Sequence, residues 1–233
     1  MNNEVVLAFG DNHLPYQHID MLKFLSDIKD AYKPTRVICN GDLVDNHNIS
    51  YHEKEVEISG FCLELDKARA FIQGLFDVYP ELEIVKGNHD LLFLRKMKSA
   101  QLHPSLLRSF NEIYEVADTW RWVDSIELIT PLKQKVIFEH GVSARALLVA
   151  KERGCCFVQS HYHAKMSIEY FGNTVLPNWA MQLGSLLNSE SLAMAYGKAF
   201  KAKPKIGVGL IAYGYPLLIP MPQNKKGRYT GLK

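Results

Sequence analysis

Five short polar clusters punctuate the chain, each following an apolar run. They are Asp11-Asn12-His13, Gly41-Asp42-Leu43-Val44-Asp45, Gly87-Asn88-His89-Asp90, His140-Gly141 and Ser160-His161-Tyr162-His163. Five of the nine histidines fall inside them. Carboxylates and neutral imidazoles are the usual ligands of first-row divalent metals. A spacing of two, as in Asp11/His13 and His161/His163, points both side chains the same way from an extended segment. A glycine ahead of Asp42 and of Asn88 permits a tight turn and a close approach of backbone to a site. Seven ligand-type residues result: Asp11, His13, Asp42, Asn88, His140, His161 and His163. That is too many for one four-coordinate ion and suits two ions sharing a carboxylate. Taken singly, most of these residues read as loop caps. Jointly, at five predicted strand ends, they do not.

The elements that must position the clusters are legible as periodicity. Val5–Phe9, Arg36–Cys39 and Leu82–Val85 are short apolar runs, each followed by a glycine. Helical spacing covers His18–Ala31 and Phe61–Val78, stopped by Pro34 and Pro80. The order strand, helix, strand, helix, strand indicates an α/β sheet with right-handed crossovers and ligands at the carboxyl ends of its strands. Leu91–Glu115 reads as two helical pieces split at Pro104. Strands are expected at Trp120–Val123, Ile126–Ile129, Val136–Phe138 and Phe157–Gln159, with a helix at Ser143–Glu152. Met166–Phe171, Thr174–Leu176, Gly207–Ala212 and Leu217–Pro220 read as further short antiparallel strands. Asn46–Gly60 lacks periodicity, carries Glu53, Glu55 and Glu57, and reads as an exposed excursion. Residues 1–233 are expected to form a single domain with two sheet halves and a basic C-terminal tail at about 222–233.

Composition narrows the class. The 233 residues are 47% hydrophobic and 22% charged, which excludes a disordered or fibrous chain. Cys39, Cys62, Cys155 and Cys156 form no C-x-x-C pair, and Cys39 and Cys156 sit in apolar runs, a reducing-compartment pattern. The N-terminus shows no signal peptide, and the longest uncharged stretch, residues 206–224, is cut by glycines and prolines. A soluble cytoplasmic protein with no membrane span is the expectation. The net charge of +2 conceals an asymmetry: 19 basic and 25 acidic residues in 1–190, against eight basic and no acidic residues in 191–233.

The clusters resemble the calcineurin-like metallophosphoesterase family, whose pattern is D-x-H, GD-x-x-D, GNH-[DE], H and GH-x-H. All five blocks occur in order between residue 5 and about residue 185. Ser160 stands where the last block usually has glycine. Asn46 follows Asp45 where the protein-phosphatase branch has arginine, which disfavours a phosphoprotein phosphatase. The resemblance implies a four-layer α/β/β/α sandwich with mixed sheets. It also implies two divalent cations: Asp11, His13 and His163 on one, Asn88, His140 and His161 on the other, and Asp42 bridging. Histidines, carboxylates and an amide suit Mn, Fe or Zn, with Mn favoured. His89 would be the general acid for the leaving oxygen, oriented by Asp45, with a role as an eighth ligand as the alternative. The implied reaction is hydrolysis of a phosphate ester by a hydroxide held between the metals.

A phosphomonoester or nucleotide is the leading expected substrate. A DNA or RNA exonuclease or phosphodiesterase is the alternative, and a non-catalytic metal-stabilised interaction module is the rival from another class. Counting two cations into the acidic body leaves it less negative, so the tail is expected to stay free for a phosphate-rich partner. Asp90 reads as the N-cap of the following helix, His47 and His52 as surface residues, and His18 and His103 as unremarkable. Trp120 and Trp122 read as core or edge packing, Arg145 as a solvated helix residue, and Gly184-Ser185 as structural.

Overall fold

A computed structural model describes residues 4–51, 60–188 and 203–232. The first sheet contains β1 (Val5–Phe9), β2 (Arg36–Cys39), β3 (Leu82–Val85), β4 (Trp120–Val123), β10 (Gly207–Ala212) and β11 (Tyr215–Pro220) in the order β11-β10-β1-β2-β3-β4. Strands β1 to β4 run parallel, and β10 and β11 add antiparallel at one edge. The second sheet contains β5 (Ile126–Ile129), β6 (Lys135–Phe138), β7 (Cys156–Gln159), β8 (Ser167–Phe171) and β9 (Asn178–Gln182) in the order β5-β6-β7-β9-β8. Its central β6, β7 and β9 are parallel, and its edges antiparallel.

Alternation along the strands produces three apolar layers. In β1, Leu7 and Phe9 face a core shared with Phe24, Leu25, Ile72 and Leu75 of helices α1 (Met21–Tyr32) and α2 (Phe61–Val78). Val6 and Ala8 face the other way, toward Val136, Phe138, Val158 and Met181 of the second sheet. Ile137 and Phe157 turn outward onto Ala146 and Ala150 of α5 (Ala146–Arg153). A period of two feeding three cores requires four layers, the expected α/β/β/α sandwich. The remaining helices, α3 (Leu92–Ser99) and α4 (Phe110–Tyr114), follow β3. Trp120 is buried and Trp122 stacks on Phe110, so both serve packing as expected.

Several expectations require correction. Thr174–Leu176 is a turn, because Asn173 Oδ1 accepts the N–H groups of Val175 and Leu176 at 2.7 and 3.4 Å. The strand lies just beyond, in β9, a short apolar run buried on both faces and lacking alternation. Asn46 and His47 are buried, not exposed, since Glu64 on α2 accepts the N–H groups of His47 and Asn48 at 2.6 and 2.9 Å and folds a 3-10 turn, His47–Ile49, onto the body. His52 lies outside the described residues.

The tail is also not free. Arg228 pairs with Asp20 through two 2.7 Å hydrogen bonds, Tyr229 packs edge-on against Phe24, and His18 Nε2 lies 2.8 Å from the Gly227 carbonyl. A whole-body charge balance misses this docking because one carboxylate in the right place, with an aromatic ring beside it, is enough to hold the segment. His18 is therefore a tail anchor.

Candidate metal centre

The C-terminal ends of β1, β2 and β3 in one sheet and of β6 and β7 in the other converge, and each carries one polar cluster. The loops are laced together by backbone. Asp11 N–H donates to the Gly41 carbonyl at 2.9 Å, His13 N–H to Asp42 at 3.0 Å, and Leu14 N–H to Leu43 at 2.9 Å. Asp11, His13, Asp42 and His161 have φ of 50°, 50°, 52° and 71°, a left-handed backbone that costs a non-glycine residue on the order of 1–3 kcal/mol each. Gly87 is obligatory, because a Cβ there would overlap the Asp42 carboxylate and backbone nitrogen.

All seven ligand-type side chains come together. Asp11, His13 and His163 place ligand atoms within 4.8 Å of one another, as do Asp42, His140 and His161. His13, Asp42 and His89 form a third such group. His13 Nε2 lies 3.2 Å from His163 Nε2, and His163 Nε2 lies 3.4 Å from Asp11 Oδ1. On the other side, His140 Nε2 is 3.0 Å from Asp42 Oδ2 and 3.2 Å from Asn88 Oδ1, and His161 Nδ1 is 3.0 Å from the same Asn88 oxygen.

The outward-facing atoms of these ligands are held by partners that leave the inner atoms available. His140 Nδ1 is 2.9 Å from the Asn40 carbonyl, which can only accept, so this nitrogen carries the proton. His13 Nδ1 is 2.6 Å from Asp45 Oδ1. His161 N–H donates to Asp11 Oδ2 at 2.9 Å, and His89 N–H to Asp42 Oδ1 at 2.8 Å. The inner Asp11 Oδ1 is buried with no hydrogen-bond partner among the described residues, and His163 Nε2 lies 3.4 Å from it. An orphaned carboxylate oxygen among inward-facing imidazoles and an amide oxygen is a donor set that fits divalent cations.

Electrostatics agree with that fit. Burial keeps His13 and His161 below the ordinary histidine range and therefore neutral, the form a ligand needs. Burial works against ionising Asp11 and Asp42, but the neighbouring imidazoles, His163 and His140 respectively, hold both below the usual carboxylate range. Burial also opposes charge on His140, yet Asp42 raises it to about 9. A cation at its Nε2 would displace that proton.

Two residues carry roles that their sequence position alone did not reveal. Asp90 is not the N-cap of α3, where Leu91 takes that place without a side-chain bond. Its buried carboxylate instead accepts the N–H groups of Asp42, Gly87 and Val44 at 2.8, 2.9 and 3.2 Å, tying the β2 and β3 loops together. Burial and the nearby Asp42 charge push it up to about 6. His47, read as a surface residue, is buried with Nδ1 3.6 Å from Asp45 Oδ2 and no partner at Nε2 among the described residues. Polarity within an apolar-poor loop gave no signal for either position. Ser160 fits because Gly10 opposite lacks a Cβ, which would otherwise meet its hydroxyl.

The comparisons with known proteins agree with this geometry. The sequence profile for calcineurin-like phosphoesterases matches residues 5–186. The chain belongs to the calcineurin-like phosphoesterase family. No curated protein matches the sequence. Among solved structures, this phosphoesterase-family chain is similar to Vps29 from Chaetomium thermophilum, with a TM-score of 0.52, 13% identity, and 97% of this chain and 94% of that one covered. It is similar to YfcE, a phosphoesterase from E. coli, with a TM-score of 0.50, 11% identity, and 97% and 96% covered. Identities this low show the shared fold alone. No helix among the described residues of this family member is long and apolar enough to cross a membrane.

Proposed function

We propose that the protein is a two-metal phosphoesterase. Asp11, His13 and His163 would hold one cation and Asn88, His140 and His161 the other, with Asp42 as the carboxylate the two sites would share. The supporting observation is that Asp11, His13 and His163 form one group and Asp42, His140 and His161 a second, with His13 Nε2 3.9 Å from Asp42 Oδ2 between them, in the cleft where five strand ends converge. When bound, two divalent cations supply Lewis-acid polarisation of phosphoryl oxygens and acidify a water molecule. Mn, Fe and Zn all suit this mixture of imidazole, carboxylate and amide, and Mn is favoured.

The chain's own residues then divide the work. Asp42 and Asp11, kept ionised by their imidazole neighbours, set the charge of the cleft. His89 serves as general acid for the departing oxygen: its Nδ1 is fixed 2.7 Å from the Asp45 carbonyl and 3.2 Å from Asp45 Oδ1, which leaves Nε2 to carry the proton toward the substrate. Burial opposes its charge, but the Asp45 hydrogen bond and the charge of Asp42 raise it to about 10. A phosphomonoester, a nucleotide or a phosphodiester would each present the required phosphoryl group.

The shared fold does not by itself make an enzyme, so a non-catalytic module is the rival. It has no use for a general acid beside a complete ligand set. Assay of the Mn-loaded protein on an aryl phosphate monoester and diester separates the two readings. Turnover of either supports the esterase, and stoichiometric metal without turnover of any ester supports the module.

A further inference from the structure

Helix α3, which follows the loop carrying Asn88 and His89, carries a feature that the metal centre does not use. Leu91 to Asn111 contains Arg95, Lys96, Lys98 and Arg108 and no acidic residue. None of Arg95, Lys96 or Lys98 forms an ion pair with a carboxylate among the described residues. Arg95 and Lys98 are exposed. Arg95 and Lys96 instead gather around Tyr51, with Arg95 Cζ 5.1 Å and Lys96 Nζ 3.7 Å from the ring centroid. Tyr51 is exposed, and its hydroxyl is anchored 3.3 Å from Ser99 Oγ.

Position gives the cluster its meaning. Helix α3 emerges from the loop that holds Asn88 and His89, its first N–H bonded to the His89 carbonyl at 3.1 Å. Tyr51 follows the turn that carries His47, and Asn46 Nδ2 ties that segment to the same His89 carbonyl at 3.2 Å. From Leu92 to Lys98 the helix advances about 9 Å away from the centre. A row of cations without a carboxylate partner among the described residues, leading away from a phosphate-handling cleft with an exposed aromatic ring among them, is the composition of a surface that tracks a single-stranded nucleic-acid backbone.

We propose that Tyr51, Arg95, Lys96 and Lys98 form a binding track for a single strand of nucleic acid whose reacting phosphate lies at the metal centre. The proposal rests on the esterase reading for the reaction and on the α3 surface with Tyr51 for binding. Phosphates next to the reacting one pair with Arg95, Lys96 and Lys98, and a base packs against Tyr51.

The test uses the full chain, a fluorescent single-stranded oligonucleotide of mixed sequence and bis(p-nitrophenyl) phosphate. The triple variant Arg95→Gln, Lys96→Gln, Lys98→Gln is expected to bind the oligonucleotide at least ~10-fold more weakly. Its plot of log affinity against log salt should be shallower by about 2, since each phosphate that is no longer neutralised removes roughly 0.7 from the slope. Turnover of the small diester should stay within about twofold of wild type. A second measurement needs no variant: the oligonucleotide should protect amides of residues 91–99 from hydrogen exchange, and inorganic phosphate should not. Unchanged affinity and salt slope, or protection confined to other segments, would overturn the proposal. Loss of ester turnover in the wild-type protein alongside intact strand binding would instead overturn the esterase reading and leave the track standing.

Discussion

His13 Nδ1 and Asp45 Oδ1 are 2.6 Å apart, and the same carboxylate oxygen lies 3.2 Å from His89 Nδ1. One buried carboxylate therefore serves both a ligand position and the proposed general acid. Three imidazoles and burial compete over it, and His13, His47 and His89 together hold it well below the usual carboxylate range despite the cost of burial. Sequence placed Asp45 beside His89 alone, so the link to His13 changes what its removal should do.

Asp45→Asn is expected to impair two properties at once. Loss of its bond to His13 should weaken metal affinity by roughly 10–100-fold, the usual effect of disturbing a group behind a ligand. The rate should fall further than metal loss explains, because the charged oxygen 3.2 Å from His89 Nδ1 is lost even though the bond to the Asp45 backbone carbonyl remains. Metal titration followed by turnover at saturating metal reads the two effects separately. A variant with full-affinity metal binding would contradict the shared role of Asp45.

Asp90 supplies a stability prediction. Asp90→Ala strands three buried N–H groups, those of Asp42, Gly87 and Val44. Each orphaned donor costs about 1–3 kcal/mol, so a loss of at least ~3 kcal/mol is expected, with reduced metal affinity as the β2 and β3 loops part. Asp90→Asn keeps one acceptor and should cost less. Denaturant unfolding of both variants checks the order.

Gly87→Ala tests the close packing of the loops in another way. The added Cβ would overlap Asp42, and the obstruction includes backbone as well as side chain. Far-ultraviolet circular dichroism should be preserved, because β3 ends at Val85, before the substitution. Metal content should fall sharply.

The docked tail has a pH signature. The Arg228 hydrogen bonds lower Asp20 from its ordinary value of 3.8 to about 2. A carboxylate depressed on folding contributes its stability fully above the unfolded value and loses it as pH falls through the folded one. The stability gap between wild type and Asp20→Asn should thus be constant above about pH 4 and shrink toward pH 2. A gap that widened on acidification would contradict the pairing.

Much of this architecture was legible in sequence, for identifiable reasons. Strands such as Val5–Phe9 and Leu82–Val85 announce themselves because apolar runs end at a glycine that the site needs. The candidate ligands were legible because strand ends concentrate carboxylates and imidazoles, and the structure brings those side chains together. What stayed hidden depended on contacts between distant segments. Asp90 looks like a cap until three N–H groups from two loops are seen around it. His47 looks exposed until Glu64, seventeen positions on, pulls its turn inward. The tail looks free until Asp20 meets Arg228. Strand β9 was displaced by the neighbouring Asn173 turn, which imitates a β-branched run.

The division between ligands and acid is the central claim, and His89→Ala tests it most directly. His89 lies close enough to His13 and Asp42 to serve as a ligand itself. The decisive measurement is metal stoichiometry and turnover of an aryl phosphate ester on one purified sample of this variant, beside wild type and Asp42→Asn. The account predicts that His89→Ala keeps two metal ions per chain and loses about 10²–10⁴-fold in rate, whereas Asp42→Asn loses metal and activity together. Loss of metal from His89→Ala equal to that from Asp42→Asn would make His89 a ligand and contradict the account.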